Sequence, residues 1–110
     1  MGKKLTKREV TKHMKMLNPA WVTNKDSTSI TRTFLTKNFV DGFMFVTRIS
    51  VHAEVMRHYP DIRLRYGKVV VTLTTPEITS LSELDFDLAK KLDMIFALST
   101  TKQTKRQSQH

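Results

Sequence analysis

One stretch near the middle of the chain joins a helix to a strand, and it reads Glu54-Val55-Met56-Arg57-His58-Tyr59-Pro60-Asp61. Glu54 and His58 are four residues apart, so a helix places them on one face, where their side chains can touch. The residue before a proline is pushed out of the helical region, so the helix is predicted to end near His58 or Tyr59. A carboxylate beside an imidazole at a helix end is either an ordinary surface pair or part of a proton-transfer site.

The residues after this stretch have the pattern of a β-hairpin. Apolar and basic side chains alternate from Ile62 to Tyr66, which predicts a strand with one apolar face. Gly67-Lys68 is predicted to form a tight turn, and residues 69–74 then return as the second strand of the hairpin.

The residues before it predict two helices with extended segments between them. A capping-box pattern at Thr6 and Glu9 predicts a first helix over residues 7–17. A short extended piece at Trp21 follows, and then a strand over 30–35 that is rich in β-branched and aromatic residues. Asn38 is predicted to cap a second helix over 39–58. This helix is apolar on several faces, so we expect one face to cover the sheet and another to meet a partner subunit.

The last part of the chain predicts one more helix and a tail. Ser82 is predicted to cap a helix that runs to about Leu98, since its apolar residues fall three and four positions apart. Residues 99–110 are polar and basic without periodicity, so we expect them to be disordered. The predicted fold class is α+β, with a four-stranded antiparallel sheet covered on one face by three helices, in the order α-β-β-α-β-β-α. The predicted domain spans residues 1–98.

Length and composition limit the classes of protein. A chain of 110 residues has room for one domain. It has no cysteine, which excludes disulfides and thiolate chemistry, and its four histidines match no metal-ligand spacing. We therefore expect no metal and no cofactor. No apolar run approaches the roughly 18 residues of a membrane span. We expect a cytoplasmic or nuclear protein, and the basic first helix keeps a mitochondrial location as the alternative.

The net charge of +9 belongs to the two ends of the chain. Residues 1–16 contain six lysines and arginines against one acid, and residues 99–110 contain three with no acid. The middle of the chain is therefore close to neutral. Basic ends are either solvated segments or a surface that binds nucleic acid, and both interpretations stay open at this stage.

The run from His58 to Thr75 resembles the central block of the pterin-4a-carbinolamine dehydratases. That family is also known as the dimerisation cofactor of a homeodomain transcription factor. Its pattern reads E-x3-H-[HN]-P, then an aromatic residue, then a His or Trp after nine further residues, then an Asp. The residues that match are Glu54, His58, Pro60, Tyr66 and Asp85. Trp21 and residues 42–48 are also similar to the family, and the resemblance runs from about Leu5 to Leu98.

The chain departs from the family pattern in its histidines and its glycines. The second histidine of the pattern is Tyr59, and the later His or Trp is Pro76. A glycine pair usual before the last helix is replaced by Thr79 and Ser80. Of the three histidines of the family site, the chain therefore keeps His58.

The resemblance implies dehydration of 4a-hydroxytetrahydropterin to quinonoid dihydropterin, in the recycling of tetrahydrobiopterin, by a homodimer or homotetramer. It assigns catalysis to Glu54, His58 and Asp85, with Glu54 or Asp85 orienting the imidazole. It assigns pterin binding to a second group: Tyr59, Pro60, Thr74 and Thr75. Asp85 has another interpretation, because an acidic residue three positions after a cap stabilises a helix start. The alternative function is a non-catalytic interaction or assembly subunit, for example in an RNA–protein complex.

Overall fold

The computed structural model describes residues 3–108, with side chains described for residues 3–99. The helices and strands are α1 (Lys7–Met16), β1 (Val22–Thr23), β2 (Ile30–Leu35), α2 (Phe39–Met56), β3 (Asp61–Arg65), β4 (Lys68–Leu73) and α3 (Glu83–Ser108), with a 3-10 turn at Pro76–Ile78 between β4 and α3. The predicted α+β order is confirmed.

The four strands form one antiparallel sheet in the order β1-β2-β4-β3. Successive side chains of a strand point to opposite faces, so the register decides which residues share a face. Ile30 pairs with Leu73, and Ile62 pairs with Val71. These residues belong to the core together with buried residues of all three helices, such as Val10, Ile49 and Leu92. One face of the sheet therefore lies under the helices, as predicted.

Local signals set the starts of the first two helices. The Thr6 N–H donates to the Glu9 carboxylate at 2.8 Å, and the Glu9 N–H donates to the Thr6 hydroxyl at 3.1 Å. This is the predicted capping box. At α2, the Asp41 N–H donates to the Asn38 side chain at 2.8 Å, as expected of an asparagine cap.

Helix α2 lies tightly on the hairpin. A methyl group added at Gly42 would come within 2.9 Å of Leu64 Cδ1, a distance that real side chains essentially never show. A side chain at position 42 would require the end of Leu64 to shift, so glycine lets α2 approach β3 with Leu64 in its present position. The buried side of α2 continues through Phe45, Ile49 and Ala53. Large apolar side chains on its other side are 49% to 78% exposed: Phe39, Val40, Phe43, Met44, Val51 and Val55. We call this set the α2 apolar face.

The end of α2 differs from the prediction. The helix stops at Met56, because Arg57 takes the left-handed conformation with φ of 52°. The Arg57 N–H then donates to the Glu54 carbonyl, and the His58 N–H donates to the Ala53 carbonyl at 3.1 Å. This pair of bonds is a Schellman motif, which satisfies carbonyls at a helix end. His58 therefore lies outside the helix, two residues past its last turn.

Two further boundaries were predicted wrongly. The hairpin turn is formed by Tyr66 and Gly67, where Gly67 has φ of 80°, and not by Gly67-Lys68, since Arg65 pairs with Lys68. Helix α3 continues to Ser108, ten residues past the predicted end at Leu98. The residues beyond Leu98 include no proline or glycine that would end a helix. Among the residues whose side chains the structure describes, 3–99, the last one packed on the core is Phe96. The boundary of the domain at residue 98 stays a prediction.

A polar cluster ties the first half of the sheet to α3. The Arg32 guanidinium donates to Asp93 at 2.6 Å, and the Trp21 indole N–H donates to both oxygens of the same carboxylate at 2.8 and 3.0 Å. The guanidinium also lies over the Phe34 ring, 4.3 Å from its centroid. We call Trp21, Arg32 and Asp93 the arginine cluster. It joins β2, the segment before β1 and α3.

Candidate functional site

A second polar cluster lies where three segments converge. His58 follows the end of α2, Thr75 follows β4, and Ser82 and Asp85 stand at the start of α3. We call these four residues the histidine cluster. All four are buried: His58 is 4% exposed, Thr75 is 1% exposed, and Ser82 and Asp85 are fully covered. Burial of four polar side chains in a chain this small requires that they satisfy one another.

The Asp85 carboxylate is the centre of the cluster. Its Oδ1 lies 2.5 Å from Nε2 of His58. Its Oδ2 accepts a hydrogen bond from the Thr75 hydroxyl at 2.7 Å and another from the Ser82 N–H at 3.0 Å. The Thr75 and Ser82 hydroxyls are themselves 2.7 Å apart. Three hydrogen bonds to a buried carboxylate offset the free-energy cost of removing it from water.

The two interpretations of Asp85 from the sequence hold together in this geometry. Its Oδ2 accepts the N–H of Ser82, the residue before α3, as an acid in the first turn of a helix does. Its Oδ1 meets the imidazole at the same time. One carboxylate therefore starts the helix and holds the histidine.

The structure does not bring Glu54 to His58 as the four-residue spacing predicted. The hydrogen bond of the Glu54 carboxylate is with the Tyr59 hydroxyl, at 3.3 Å and on the exposed surface. The reason is the left-handed Arg57, since a spacing of four residues gives contact only when the helix continues through both positions. The turn at Arg57 sends His58 inward to Asp85 and leaves Glu54 outside.

The remaining predicted residues surround the histidine cluster or support its loop. Tyr59 is exposed and Pro60 is half-buried, directly after His58. The Thr74 hydroxyl lies within bonding distance of the Thr28 and Ser80 carbonyls, at 2.7 and 3.2 Å, so it holds the loop after β4. The Thr75 hydroxyl is hydrogen-bonded to the Asp85 carboxylate and to the Ser82 hydroxyl. Pro76 follows Thr75 as the first residue of the 3-10 turn and is exposed.

Ser82 was predicted to be a helix cap, and the contact of its hydroxyl with Thr75 was not predicted. In the structure that hydroxyl faces Thr75, seven residues away in sequence. The two segments meet because β4 and α3 are joined by a short turn, with a bridge between Thr75 and Ser80. No sequence pattern for such a contact exists, although a serine three residues before an aspartate marked the position.

The histidine cluster has the groups for proton transfer and not those for binding a metal. Throughout the part of the chain that the structure describes, no three His, Asp or Glu side chains come together as a metal-binding group. Over residues 3–108, every helix is too short or too polar to cross a lipid bilayer. An imidazole held by a carboxylate can take up and release a proton at its other nitrogen.

Known proteins are similar to this chain in sequence and in fold. The family described as Pterin 4 alpha carbinolamine dehydratase matches residues 3–95. A relative from Nostoc punctiforme with the provisional name pterin-4-alpha-carbinolamine dehydratase is 38% identical over 95 residues, which cover 86% of this chain and 99% of that protein. One of the same provisional name from Sinorhizobium fredii is 42% identical over 77 residues, which cover 70% of this chain and 73% of that protein.

A solved structure agrees with these relatives. The transcriptional coactivator/pterin dehydratase from Brucella melitensis superimposes with a TM-score of 0.79 at 31% sequence identity, covering 84% of this chain and 98% of its own. The family match spans most of the chain, and the curated relatives are matched over most of their length. The chain therefore belongs to the pterin-4-alpha-carbinolamine dehydratase family.

Proposed function

We propose that the protein dehydrates 4a-hydroxytetrahydropterin to quinonoid dihydropterin, a step in the recycling of tetrahydrobiopterin. The observation that carries this proposal is the buried contact between His58 and Asp85 at 2.5 Å. Membership of the dehydratase family supports the choice of substrate.

The reaction removes the 4a-hydroxyl as water and a proton from a ring nitrogen. It needs an acid beside the hydroxyl and a base beside the N–H, and each such group contributes roughly 10²- to 10⁴-fold in rate. His58 is the group that we assign to proton transfer, with Asp85 holding its ring. Glu54 is assigned a contact with Tyr59 on the exposed surface and not a contact with the imidazole, because its hydrogen bond is with the Tyr59 hydroxyl.

The two departures from the family pattern predict a slow enzyme. The Tyr59 hydroxyl donates a hydrogen bond to the exposed Glu54 carboxylate, so a phenol stands where the family pattern has its second histidine. Pro76 has no side-chain proton or acceptor, and it follows Thr75 directly. We therefore expect a dehydration rate below that of a protein with histidine at both positions, by about 10²-fold if one general acid or base is missing.

A dehydration assay on purified protein tests the proposal. His58→Ala is expected to lower the rate at least about 10²-fold, and His52→Ala serves as the matched control, since His52 lies on α2 and is not among the hydrogen-bond partners of Asp85. Pro76→His is expected to raise the wild-type rate. Dehydration that is indifferent to His58→Ala would rule out the proposed mechanism. No dehydration by the wild type or by the combined Tyr59→His and Pro76→His variant would rule out the activity.

The α2 apolar face bears on the oligomeric state of the proposed enzyme. Six large apolar side chains exposed on one side of a helix form a patch of the kind that marks protein–protein contacts. We propose that this face joins copies of the chain into a homodimer or homotetramer. Light scattering checks this directly: Val51→Glu is expected to lower the oligomeric state, while Met16→Glu, at an exposed methionine of α1, leaves it unchanged. A wild-type monomer at micromolar concentration would contradict this proposal.

A further inference from the structure

The hydrogen bonds of the histidine cluster have one consistent set of directions. An ionised carboxylate only accepts, so the Thr75 hydroxyl donates to Asp85 Oδ2. A hydroxyl has one proton to donate, and that of Thr75 is used. The 2.7 Å contact between the two hydroxyls therefore requires the Ser82 hydroxyl to donate to Thr75.

The same reasoning fixes the proton on the imidazole. Nε2 of His58 faces Asp85 Oδ1, which accepts, so Nε2 carries a hydrogen. In the neutral ring one nitrogen is protonated and the other is not, so Nδ1 is then the nitrogen with the free lone pair. Among the residues that the structure describes, Nδ1 has no hydrogen-bond partner. It is the nitrogen left for a substrate.

We propose that Thr75 and Ser82 are positioning residues, which orient Asp85 so that His58 reacts through Nδ1. That His58 reacts with a pterin rests on the proposed function. The orientation of Asp85 and of the imidazole rests on the geometry alone. Without the Thr75 hydroxyl, Oδ2 of Asp85 would keep the Ser82 N–H and lose the bond on its other side. The carboxylate could then rotate, and the imidazole would lose its fixed acceptor.

One nitrogen can serve the whole reaction in this arrangement. The imidazolium gives its Nδ1 proton to the 4a-hydroxyl as the carbon–oxygen bond breaks, and water leaves. The lone pair of the neighbouring ring nitrogen forms the new carbon–nitrogen double bond. Nδ1 then accepts the proton released from the pterin, which restores the imidazolium. The step needs no oxidant, and His58 acts first as the acid and then as the base, so a site with one histidine can turn over, more slowly than a site with separate groups.

The tautomer of His58 can be measured without substrate. Long-range proton–nitrogen correlation spectra of ¹⁵N-histidine-labelled protein, at a pH where the ring is neutral, distinguish the protonated from the unprotonated nitrogen. His58→Gln identifies the signal. We expect a hydrogen on Nε2 and none on Nδ1. A wild-type ring with its hydrogen on Nδ1 would overturn the proposal without any variant of the cluster having to fold.

Variants test the positioning role. Thr75→Val removes the hydroxyl at nearly constant volume, and it is expected to mix the two tautomers and lower kcat by about 10- to 100-fold, the effect of a small misplacement. Thr75→Ser, which keeps the hydroxyl, is expected to restore both readouts. Ser82→Ala is expected to act in the same direction more weakly. Thr31→Val is the matched control, since the Thr31 hydroxyl bonds Thr72 on the sheet, outside the cluster.

The outcomes separate this inference from the proposed function. A wild-type spectrum and a rate that are both unchanged in Thr75→Val would overturn the positioning role while dehydration stands. The expected tautomer, shifted by Thr75→Val, in a protein without dehydration activity would support the positioning role and overturn the proposed reaction.

Discussion

Two carboxylates inside the fold, Asp93 and Asp85, have different hydrogen-bond partners and different roles. Asp93, in the arginine cluster, receives Arg32 and Trp21, and its side chain keeps 18% of its surface exposed. Asp85, in the histidine cluster, receives His58, Thr75 and Ser82 and is fully covered. The donors on Asp93 cannot lose their protons near neutral pH, whereas imidazole can.

Whether a partner of the carboxylate can lose its proton separates the structural cluster from the reactive one. In the arginine cluster, the guanidinium is fixed by an ion pair and by the ring of Phe34. Its groups join three segments of the fold and offer nothing to a substrate. In the histidine cluster, one titratable nitrogen remains without a partner among the described residues. Arg32 Nε is also buried without a hydrogen-bond partner among the described residues, but a guanidinium N–H only donates and keeps its proton near neutral pH. The deciding feature is that the free nitrogen of His58 can both accept and release a proton.

The largest expected effect separates the two carboxylates by activity. Asp85→Asn exchanges an acceptor for an amide, which disturbs both the ring and the hydroxyls, so the dehydration rate is expected to fall at least about 10²-fold. Asp93→Asn is expected to leave the rate of the folded protein within about twofold. The assay is run beside circular dichroism, so that the rate is expressed per folded molecule. Equal losses in the two variants would erase the distinction between the clusters.

The next effect concerns stability. Arg32→Met keeps an unbranched side chain beside Phe34 and removes the charged partner of Asp93, which retains the Trp21 N–H, so the free energy of unfolding is expected to fall by about 2 kcal/mol. The estimate lies below that for a fully buried pair, because both side chains keep some exposure. Urea denaturation measures it. A change smaller than about 0.5 kcal/mol would show that the arginine cluster does not tie the sheet to α3.

A smaller effect is expected in the loop between β4 and α3. Thr79 takes the left-handed conformation with φ of 49°, at one of the positions where the family has glycine. A β-branched residue is strained there, and glycine is not, although glycine has more freedom in the unfolded chain. Thr79→Gly is therefore expected to stabilise the protein by about 0.5–1 kcal/mol in urea denaturation.

Ser27 provides the comparison for Thr79. It also has positive φ, at 58°, in the turn between β1 and β2. Ser27→Gly is expected to stabilise the protein by a similar or smaller amount, since serine is not β-branched. Neither variant should disturb the tautomer of His58. Destabilisation by Thr79→Gly would mean that the threonine side chain holds the loop in a way that its backbone does not reveal.

The smallest effect belongs to an exposed carboxylate, in contrast to Asp85 and Asp93. The Thr6 N–H, and then the Thr6 hydroxyl, hold the pKa of Glu9 below its usual value of 4.5. A lowered pKa means that this contribution to stability is complete above pH 4.5 and is lost as pH falls through the pKa of the folded state. Glu9→Gln removes the carboxylate charge at nearly constant size, so it is expected to reduce stability slightly at pH 7 and to weaken its dependence on pH between 5 and 3. An unchanged pH dependence would contradict this role of the capping box.

Much of the fold was predictable because its signals are local. The capping box at Thr6 and Glu9, the cap at Asn38 and the strand at Ile30–Leu35 depend on neighbours within a few residues. The end of α2 was missed because an arginine in the left-handed region has no sequence signature. That single residue also overturned the expected contact between Glu54 and His58.

The site could be predicted in composition and not in geometry. The resemblance to the family supplied His58 and Asp85, which are 27 residues apart in sequence. Which of Glu54 and Asp85 would meet the imidazole depends on how α2 and α3 pack, and spacing does not contain that information. The hydroxyls of Thr75 and Ser82 meet only after the loop between β4 and α3 has formed. Such contacts come from tertiary packing and leave no periodic pattern.

The Schellman motif at the end of α2 ties the backbone of His58 to that helix. The bond from its backbone to Ala53 ties the imidazole to the helix that also carries the α2 apolar face, while Asp85 belongs to α3. Any force that rolls one helix over the other changes the separation of Nε2 and Oδ1. The distance between Nε2 of His58 and Oδ1 of Asp85 therefore depends on how α2 packs on α3. A subunit that shifted α2 on docking would change that distance.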